Sequence, residues 1–100
     1  MMTWIQVPLQ QEPNQQLSFY ANSLVIDVRI ITRGEQVYMD VAVDETDVQT
    51  CVRCLPNLPI VDYMPWKLGG NLVFVQVGDS GNPFSYEYFN TDWELWYYYG

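Results

Sequence analysis

A chain of 100 residues with four basic and twelve acidic side chains has a net charge of −8, so it lacks the basic footprint that nucleic acids or anionic membrane surfaces require. It contains no histidine, which removes the commonest general base and metal ligand of proteins. Nearly half of the residues are apolar (49%), and the six prolines, six glycines and many β-branched and aromatic residues favour a single all-β domain over residues 1–100.

The first half of the chain predicts strands from the alternation of apolar and polar side chains. A short edge strand comes first and ends near Pro8, because proline cannot donate to a β-ladder. A second strand covers Leu17–Ala21 and turns at Asn22-Ser23. Ser23–Val43 is a long β-hairpin with its turn at Gly34, and we expect the rest of the fold to be built around it.

The second half contains less regular patterns. Val48–Cys54 is expected to be a more central strand with both faces covered, because its apolar positions alternate poorly. Leu55–Trp66 holds three prolines and predicts an extended connection over the sheet. Asn71–Val77 and Glu94–Tyr99 are further strands, and Ser85–Asn90 is a short strand or an irregular stretch. About seven short strands favour a small antiparallel β-sandwich, with a partly open β-barrel as the alternative.

The same alternation predicts the core. On each side of the hairpin turn one apolar set recurs at every second position, which puts that set on one face of the strand. We expect six side chains of three strands to be buried together: Ile26, Val28, Met39, Val41, Leu72 and Phe74.

Cys51-Val52-Arg53-Cys54 is a CxxC motif, which in other contexts forms half of a zinc site or a redox pair. A structural zinc site needs four ligands, and the chain has no second pair and no histidine. Positions three apart on a strand also point to opposite faces. We therefore expect two free thiols, no metal and no cofactor. No apolar run approaches the roughly 20 residues of a membrane-spanning helix, and the absence of a secretory signal indicates a reducing compartment at synthesis.

Two acidic turns invite a calcium-binding interpretation. Asp44, Glu45 and Asp47 form one, and residues 79–82 form the other. Neither has the spacing or the flanking helices of an EF-hand, so we interpret both as charged turns between strands.

Asp27 and Asp40 lie on the mixed faces of paired strands, where two close carboxylates can hydrolyse glycosides. Such chemistry needs a cleft, and a β domain of this size has little room for one. Arg29 also offers either acid a simple partner. No nucleophile elbow, phosphate loop or dinucleotide fingerprint occurs in the sequence. We therefore expect a protein that is not an enzyme, with a solvated or interface-facing sheet surface here.

The C-terminal strand has more aromatic side chains than one buried face can use. Alternation sends Trp96 and Tyr98 to one side and Tyr97 and Tyr99 to the other, so one set completes the core and the other is exposed in a lone monomer. Exposed Trp and Tyr mark protein interfaces or carbohydrate platforms. The candidate partner-interface residues are Trp93, Trp96, Tyr97, Tyr98 and Tyr99.

The order of several short pieces along the whole chain resembles the baseplate plug proteins of small contractile-tailed phages. The pieces are Ile5–Leu9, Pro13–Leu17, Met39–Val41, Cys51–Leu55, Leu58–Val61, Gly70–Phe74 and Asn82-Pro83 ahead of an aromatic strand. One departure is Tyr88–Asp92, which stands where the family pattern has a Leu-Gly pair.

The resemblance implies a non-enzymatic virion component that is made in the host cytoplasm and sits in the tail baseplate. Its implied partners are the central hub and neighbouring baseplate proteins, with no nucleic acid, membrane or small-molecule substrate. The family has no catalytic residues to carry over to this chain. A carbohydrate-binding β-sandwich that uses the C-terminal aromatics is the alternative.

Overall fold

The computed structural model describes residues 2–62, 67–78 and 81–100, and its regular structure there is almost entirely β-strand. A 3-10 turn at Tyr86–Tyr88 precedes the last strand. The seven strands are β1 (Thr3–Val7), β2 (Asn14–Ala21), β3 (Leu24–Arg33), β4 (Gln36–Val43), β5 (Thr46–Arg53), β6 (Gly70–Gln76) and β7 (Trp93–Tyr99).

The strands form two antiparallel sheets that do not close into a barrel. One sheet has the order β2-β3-β4-β5 and the other has the order β1-β7-β6. The predicted all-β sandwich is therefore confirmed, and the partly open barrel is not the architecture. β1 lies at an edge, as its proline-terminated sequence predicts.

The predicted central hairpin is the middle of the four-stranded sheet. β3 and β4 pair from Ile26↔Val43 to Arg33↔Gln36, and Gly34 in the turn between them adopts φ +63°. The turns on either side have positive φ at both central residues, Asn22-Ser23 and Asp44-Glu45. This backbone twist matches the twist of paired strands and gives tight hairpins, so β2 to β5 form one continuous meander.

β5 corrects a prediction, because it is an edge strand and not a central one. Its register against β4 shifts between Met39 and Val41 and again between Val41 and Ala42, and the first shift marks a β-bulge at Cys51. Cys51 adopts φ +52° there, and its backbone N–H donates to Oδ1 of Asp40 at 2.6 Å. The extra residues disturb the period of two, and this irregularity explains why the sequence pattern suggests a strand with both faces covered.

The core is one cluster of buried side chains from the inner faces of both sheets. All six predicted core residues belong to it, each at most 1% exposed. The ring of Phe74 lies 4.9 Å from that of Phe84 and 5.4 Å from that of Phe89. Aromatic packing between β6 and the turn before β7 therefore fills one end of the sandwich.

The proline-rich connection runs along the edge of β6 in its described part. The N–H groups of Asn57 and Ile60 donate to the carbonyls of Phe74 and Leu72 at 2.8 and 2.9 Å. The Asn71 side chain accepts from the Val61 N–H at 2.9 Å and donates to its carbonyl at 2.8 Å. This segment covers the edge of β6, and the rest of the predicted connection, residues 63–66, lies outside the described residues.

Candidate protein-interaction surface

The five aromatic candidates of β7 divide between the two faces of its sheet. Trp93 (6% exposed) and Tyr97 (fully buried) belong to the core cluster, and Leu95 lies between them. Tyr99 is half-buried, and its ring stacks on that of Tyr97 with centroids 5.5 Å apart. Trp96 and Tyr98 alternate with these residues and are half-buried on the opposite face.

Tyr97 is held in the core by contacts at both ends of its side chain. Its hydroxyl donates to the carbonyl of Leu68 at 2.6 Å, and its ring lies 5.7 Å from that of Phe19 in the other sheet. Burial raises the pKa of the Tyr97 hydroxyl, because the phenolate would lose its hydration. Tyr97 therefore ties the two sheets together.

The outer side of the three-stranded sheet carries an apolar surface, which we call the aromatic face: Trp4, Val75, Val77, Trp96 and Tyr98. Trp4 pairs with Tyr98 across β1 and β7, and the two rings stack with centroids 4.7 Å apart. Trp4 and Val77 are each 49% exposed. Four of these residues line a shallow depression of about 360 Å³. Tyr98 does not line it, but its ring stacks on Trp4, which does.

Polar atoms within the aromatic face orient its largest ring. The indole Nε1 of Trp96 donates to Oε1 of Glu94 at 3.1 Å, and both side chains lie on the same side of β7. Gln6 is the cross-strand partner of Trp96 on β1. The surface is thus a shallow patch of aromatic and aliphatic groups that includes the Glu94 carboxylate. The chain as a whole has a net charge of −8.

Sequence reasoning missed Trp4, Val75 and Val77 as members of this surface. A usable signal for Trp4 is present, because Ile5 and Val7 follow it and Val7 is buried, which puts Trp4 on the outer side. What the sequence does not give is the partner strand. Only the pairing of β1 with β7 brings Trp4 onto Tyr98.

The two strand carboxylates have separate local partners. Asp27 accepts from the Ser18 hydroxyl on β2, and Asp40 accepts from the Cys51 N–H at the bulge. Both line a depression of about 280 Å³ on the outer face of the four-stranded sheet, together with Arg29. Each carboxylate therefore acts in the sheet as a hydrogen-bond acceptor.

The acidic turn after β4 has a structural use. Asp44 Oδ1 accepts from the Val25 N–H at 3.0 Å, while the Asp44 N–H donates to the Val25 carbonyl at 2.9 Å. In the other acidic turn, Asn82 donates to Asp92 Oδ2 at 2.6 Å, and residues 79 and 80 lie outside the described residues. Within residues 2–62, 67–78 and 81–100, no group of three or more Cys, Asp or Glu side chains is arranged to hold a metal ion.

The two thiols of the CxxC motif are free and lie in different environments. Cys51 is exposed at the bulge, whereas Cys54 is buried just beyond the end of β5. Burial raises the pKa of the Cys54 thiol to about 12, because the thiolate would lose its hydration. Cys54 is thus a small apolar core residue at neutral pH.

The fold and surface define a small β-sandwich with a partly exposed aromatic face on its three-stranded sheet. No helix in the described part of the chain is long and apolar enough to span a membrane. The family model described as cyanophage baseplate Pam3 plug gp18 matches residues 3–99, nearly the whole chain. The chain therefore belongs to this family of phage baseplate plugs, and its role is that of a structural component of the tail baseplate. A search of curated proteins found no match.

Proposed function

We propose that this protein is a non-enzymatic plug that docks on the central hub and neighbouring proteins of a contractile tail baseplate and stabilises their assembly. The observation that carries the proposal is the aromatic face, an apolar surface that lies on the three strands of one sheet except for Val77, which follows β6. Monomers rarely expose such patches without a use for them. Aromatic rings bury a large area while they freeze few torsions, which suits them to anchor an interface.

The charge of the chain supports a neutral or basic partner. A net charge of −8 with four basic residues repels acidic surfaces at long range and speeds encounter with a basic one. Nucleic acid and membrane are not partners in this proposal, and the working location is the assembled virion after synthesis in the host cytoplasm. Trp96 and Tyr98 are the members of the predicted aromatic set that contact the partner, while Trp93, Tyr97 and Tyr99 support them from the core side.

The test separates folding from assembly with two matched double variants of β7. Trp96→Ser with Tyr98→Ser removes rings from the outer side, and Tyr97→Ser with Tyr99→Ser removes rings from the inner side. We expect the inner pair to lower the stability of the isolated protein by about 3–5 kcal/mol, since it opens a cavity in the core. The outer pair should keep most of the stability and reduce incorporation into tails at least about tenfold, the loss expected when interface anchors are truncated.

The measurements are chemical unfolding of each purified variant and its amount in purified tails by quantitative mass spectrometry. The docking proposal would be contradicted if the outer-pair variant folds and is incorporated into tails at the level of the wild-type protein. Recognition of carbohydrate is a second candidate, favoured by the exposed ring of Trp4 and the half-buried ring of Tyr98 that stacks on it. A glycan array that binds the wild type and loses binding on Trp4→Ser would favour this candidate.

A further inference from the structure

The sandwich has four strand edges, and three of them are protected against pairing with another chain. The edge of β6 is covered by residues 57–61. β5 is interrupted by the bulge at Cys51, and β1 has only five residues and is followed by Pro8. Bulges, short length, proline and covering segments are the devices by which proteins protect sheet edges. Among residues 2–62, 67–78 and 81–100, β2 has no bulge and no backbone-paired covering segment, and its eight residues contain no proline, although Pro13 stands just before its first residue.

β2 is an eight-residue strand, Asn14–Ala21, that pairs with β3 on one side only. It contains no charged residue, no glycine and no proline, and its register against β3 runs without a shift from Asn14↔Ile31 to Ala21↔Leu24. An uncharged, regular, exposed edge of this length is a template for the addition of another strand.

Alternate residues of β2 direct their backbone N–H and C=O groups toward β3 and away from it, and this alternation identifies the free groups. The Thr32 N–H donates to the Pro13 carbonyl at 2.9 Å, so the odd-numbered residues of β2 direct their backbone groups toward β3. The even-numbered residues Asn14, Gln16, Ser18 and Tyr20 direct theirs away from the sheet, and all four are exposed. They present a row of donors and acceptors along the edge.

The side chains along this edge indicate what an added strand would contact. Leu17 and Phe19 are half-buried at the rim of the core, so inward-facing apolar groups of the added strand would extend their cover. On the outer side Tyr20 is 73% exposed beside its cross-strand partner Val25, which is 42% exposed. An apolar outward residue would pack against Tyr20 as a further cross-strand pair.

We propose that the free edge of β2 accepts an extended segment of another protein of the baseplate as a fifth strand of the sheet. The segment alternates apolar and polar residues and has no net negative charge. A second copy of this chain fits less well, because each copy carries a net charge of −8, and charge of this size keeps proteins monomeric. The proposal rests on the baseplate role for the partner's location and uses a surface separate from the aromatic face.

The test is residue-resolved hydrogen exchange of the wild-type protein, alone and in purified baseplates. In the isolated protein the amides of Gln16, Ser18 and Tyr20 should exchange rapidly, while those of Leu17 and Phe19 are slowed by the β3 ladder. In baseplates the three even-numbered amides should slow by at least about tenfold. Unchanged exchange of these amides in baseplates would overturn the proposal.

Two outcomes concern the identity of the added strand. Slow exchange of the even-numbered amides already in the isolated protein, with a dimer in sedimentation, would overturn the hetero-partner proposal in favour of self-pairing. Slow exchange in baseplates only, with a monomer in solution, supports it. The outer pair variant of β7 leaves β2 intact, so failure of docking by the aromatic face is distinguishable from failure of strand addition.

A pair of variants at one position gives an independent genetic test. Ser18→Pro removes an N–H that points away from β3, so it spares the internal ladder, and edge strands tolerate proline. Ser18→Ala removes the hydroxyl that contacts Asp27 but keeps the N–H. Folded Ser18→Pro should be incorporated into tails at least about tenfold less than Ser18→Ala. Equal incorporation of the two would overturn the proposal, and if Ser18→Pro does not fold, the exchange data on the wild type decide.

Discussion

Two cysteines that are three residues apart lie in different environments, as alternation along a strand predicts. Cys51 adopts φ +52° at the bulge and stays at the surface. Cys54 donates its N–H to the Val37 carbonyl at 2.8 Å and turns its side chain into the core, where it is 3% exposed. At this scale, the position of a residue on its strand decides whether a thiol is exposed or buried.

The raised pKa of Cys54 predicts a loss of stability at alkaline pH. The unfolded thiol ionises near 9.0 and the folded one near 12, so above pH 9 the unfolded state binds fewer protons and is favoured. The stability contributed by the buried thiol is complete below pH 9 and falls as the pH rises toward 12, by at most about 1.4 kcal/mol per pH unit. Urea unfolding under reducing conditions measures the free energy of unfolding between pH 8 and 10.5. This free energy should fall more steeply with pH for the wild type than for Cys54→Ala. Parallel pH profiles would contradict the prediction.

The sequence predicts which side chains are buried wherever apolar and polar residues alternate without interruption along a strand. Ile26, Val28, Met39 and Val41 are buried because each strand of the hairpin has one apolar side. The same logic separates Trp96 from Tyr97, but it does not say which of them faces the core, since both rings are large and apolar. The register of β7 against β6 decides that question, because it places Tyr97 beside the buried Leu72.

At the scale of elements, the bulge in β5 is the feature that sequence patterns misread. Asp40 accepts a hydrogen bond from the backbone N–H of Cys51, so a side chain of β4 supplies an acceptor where the ladder is interrupted. Cys51 adopts a left-handed conformation at some cost, because its Cβ approaches the following carbonyl. The element is an edge strand whose irregular pattern comes from two register shifts against β4.

This strain predicts opposite effects of two substitutions at position 51. Cys51→Gly removes the Cβ and should keep or raise the stability of the protein, since glycine adopts positive φ freely. Cys51→Val places a β-branched side chain at φ +52° and should lower the free energy of unfolding by about 1–2 kcal/mol. Urea unfolding of both variants measures the difference. Equal stabilities would mean that the bulge is absent in solution.

The turns show which elements the sequence could predict. Asn22-Ser23 and Gly34 have residue types that accept positive φ, and the hairpins that they close were predicted at the right places. The sheet order was not predicted, because the pairing of β1 with β7 joins the two ends of the sequence and has no local signal. Propensity and turn chemistry act between near neighbours in the chain, whereas this pairing is decided by packing.

At the scale of the whole molecule, both sheets depend on one core. Phe74 of the three-stranded sheet and Ile30 and Met39 of the four-stranded sheet are all fully buried in the same cluster. Phe19 and Tyr97 add a ring contact between the sheets at 5.7 Å. We therefore propose that the chain unfolds as one domain.

We predict that the protein unfolds in a single cooperative transition. Phe74→Ala should move the whole transition to milder denaturing conditions without splitting it. Truncation of a buried phenylalanine costs about 3–5 kcal/mol, a large part of the ~5–15 kcal/mol that stabilises a small domain. Unfolding followed by far-UV circular dichroism and by tryptophan fluorescence should give coincident curves in both proteins. Tyr20→Ala, at a site 73% exposed, is the control and should change stability by no more than about 0.5 kcal/mol. Curves that separate in the Phe74 variant would indicate two independently folding sheets.

The antiparallel pairing of β1 with β7 also has a consequence for folding on the ribosome. Thr3 pairs with Tyr99 and Val7 with Leu95, so β1 leaves the ribosome long before its partner strand. At about 5–20 residues per second, it waits roughly 5–20 s for β7. The β2 to β5 meander uses only neighbouring strands and is free to form during that interval. The nascent chain therefore carries Trp4 and its uncovered strand beside a preformed sheet, and the second sheet closes only after β7 has left the ribosome.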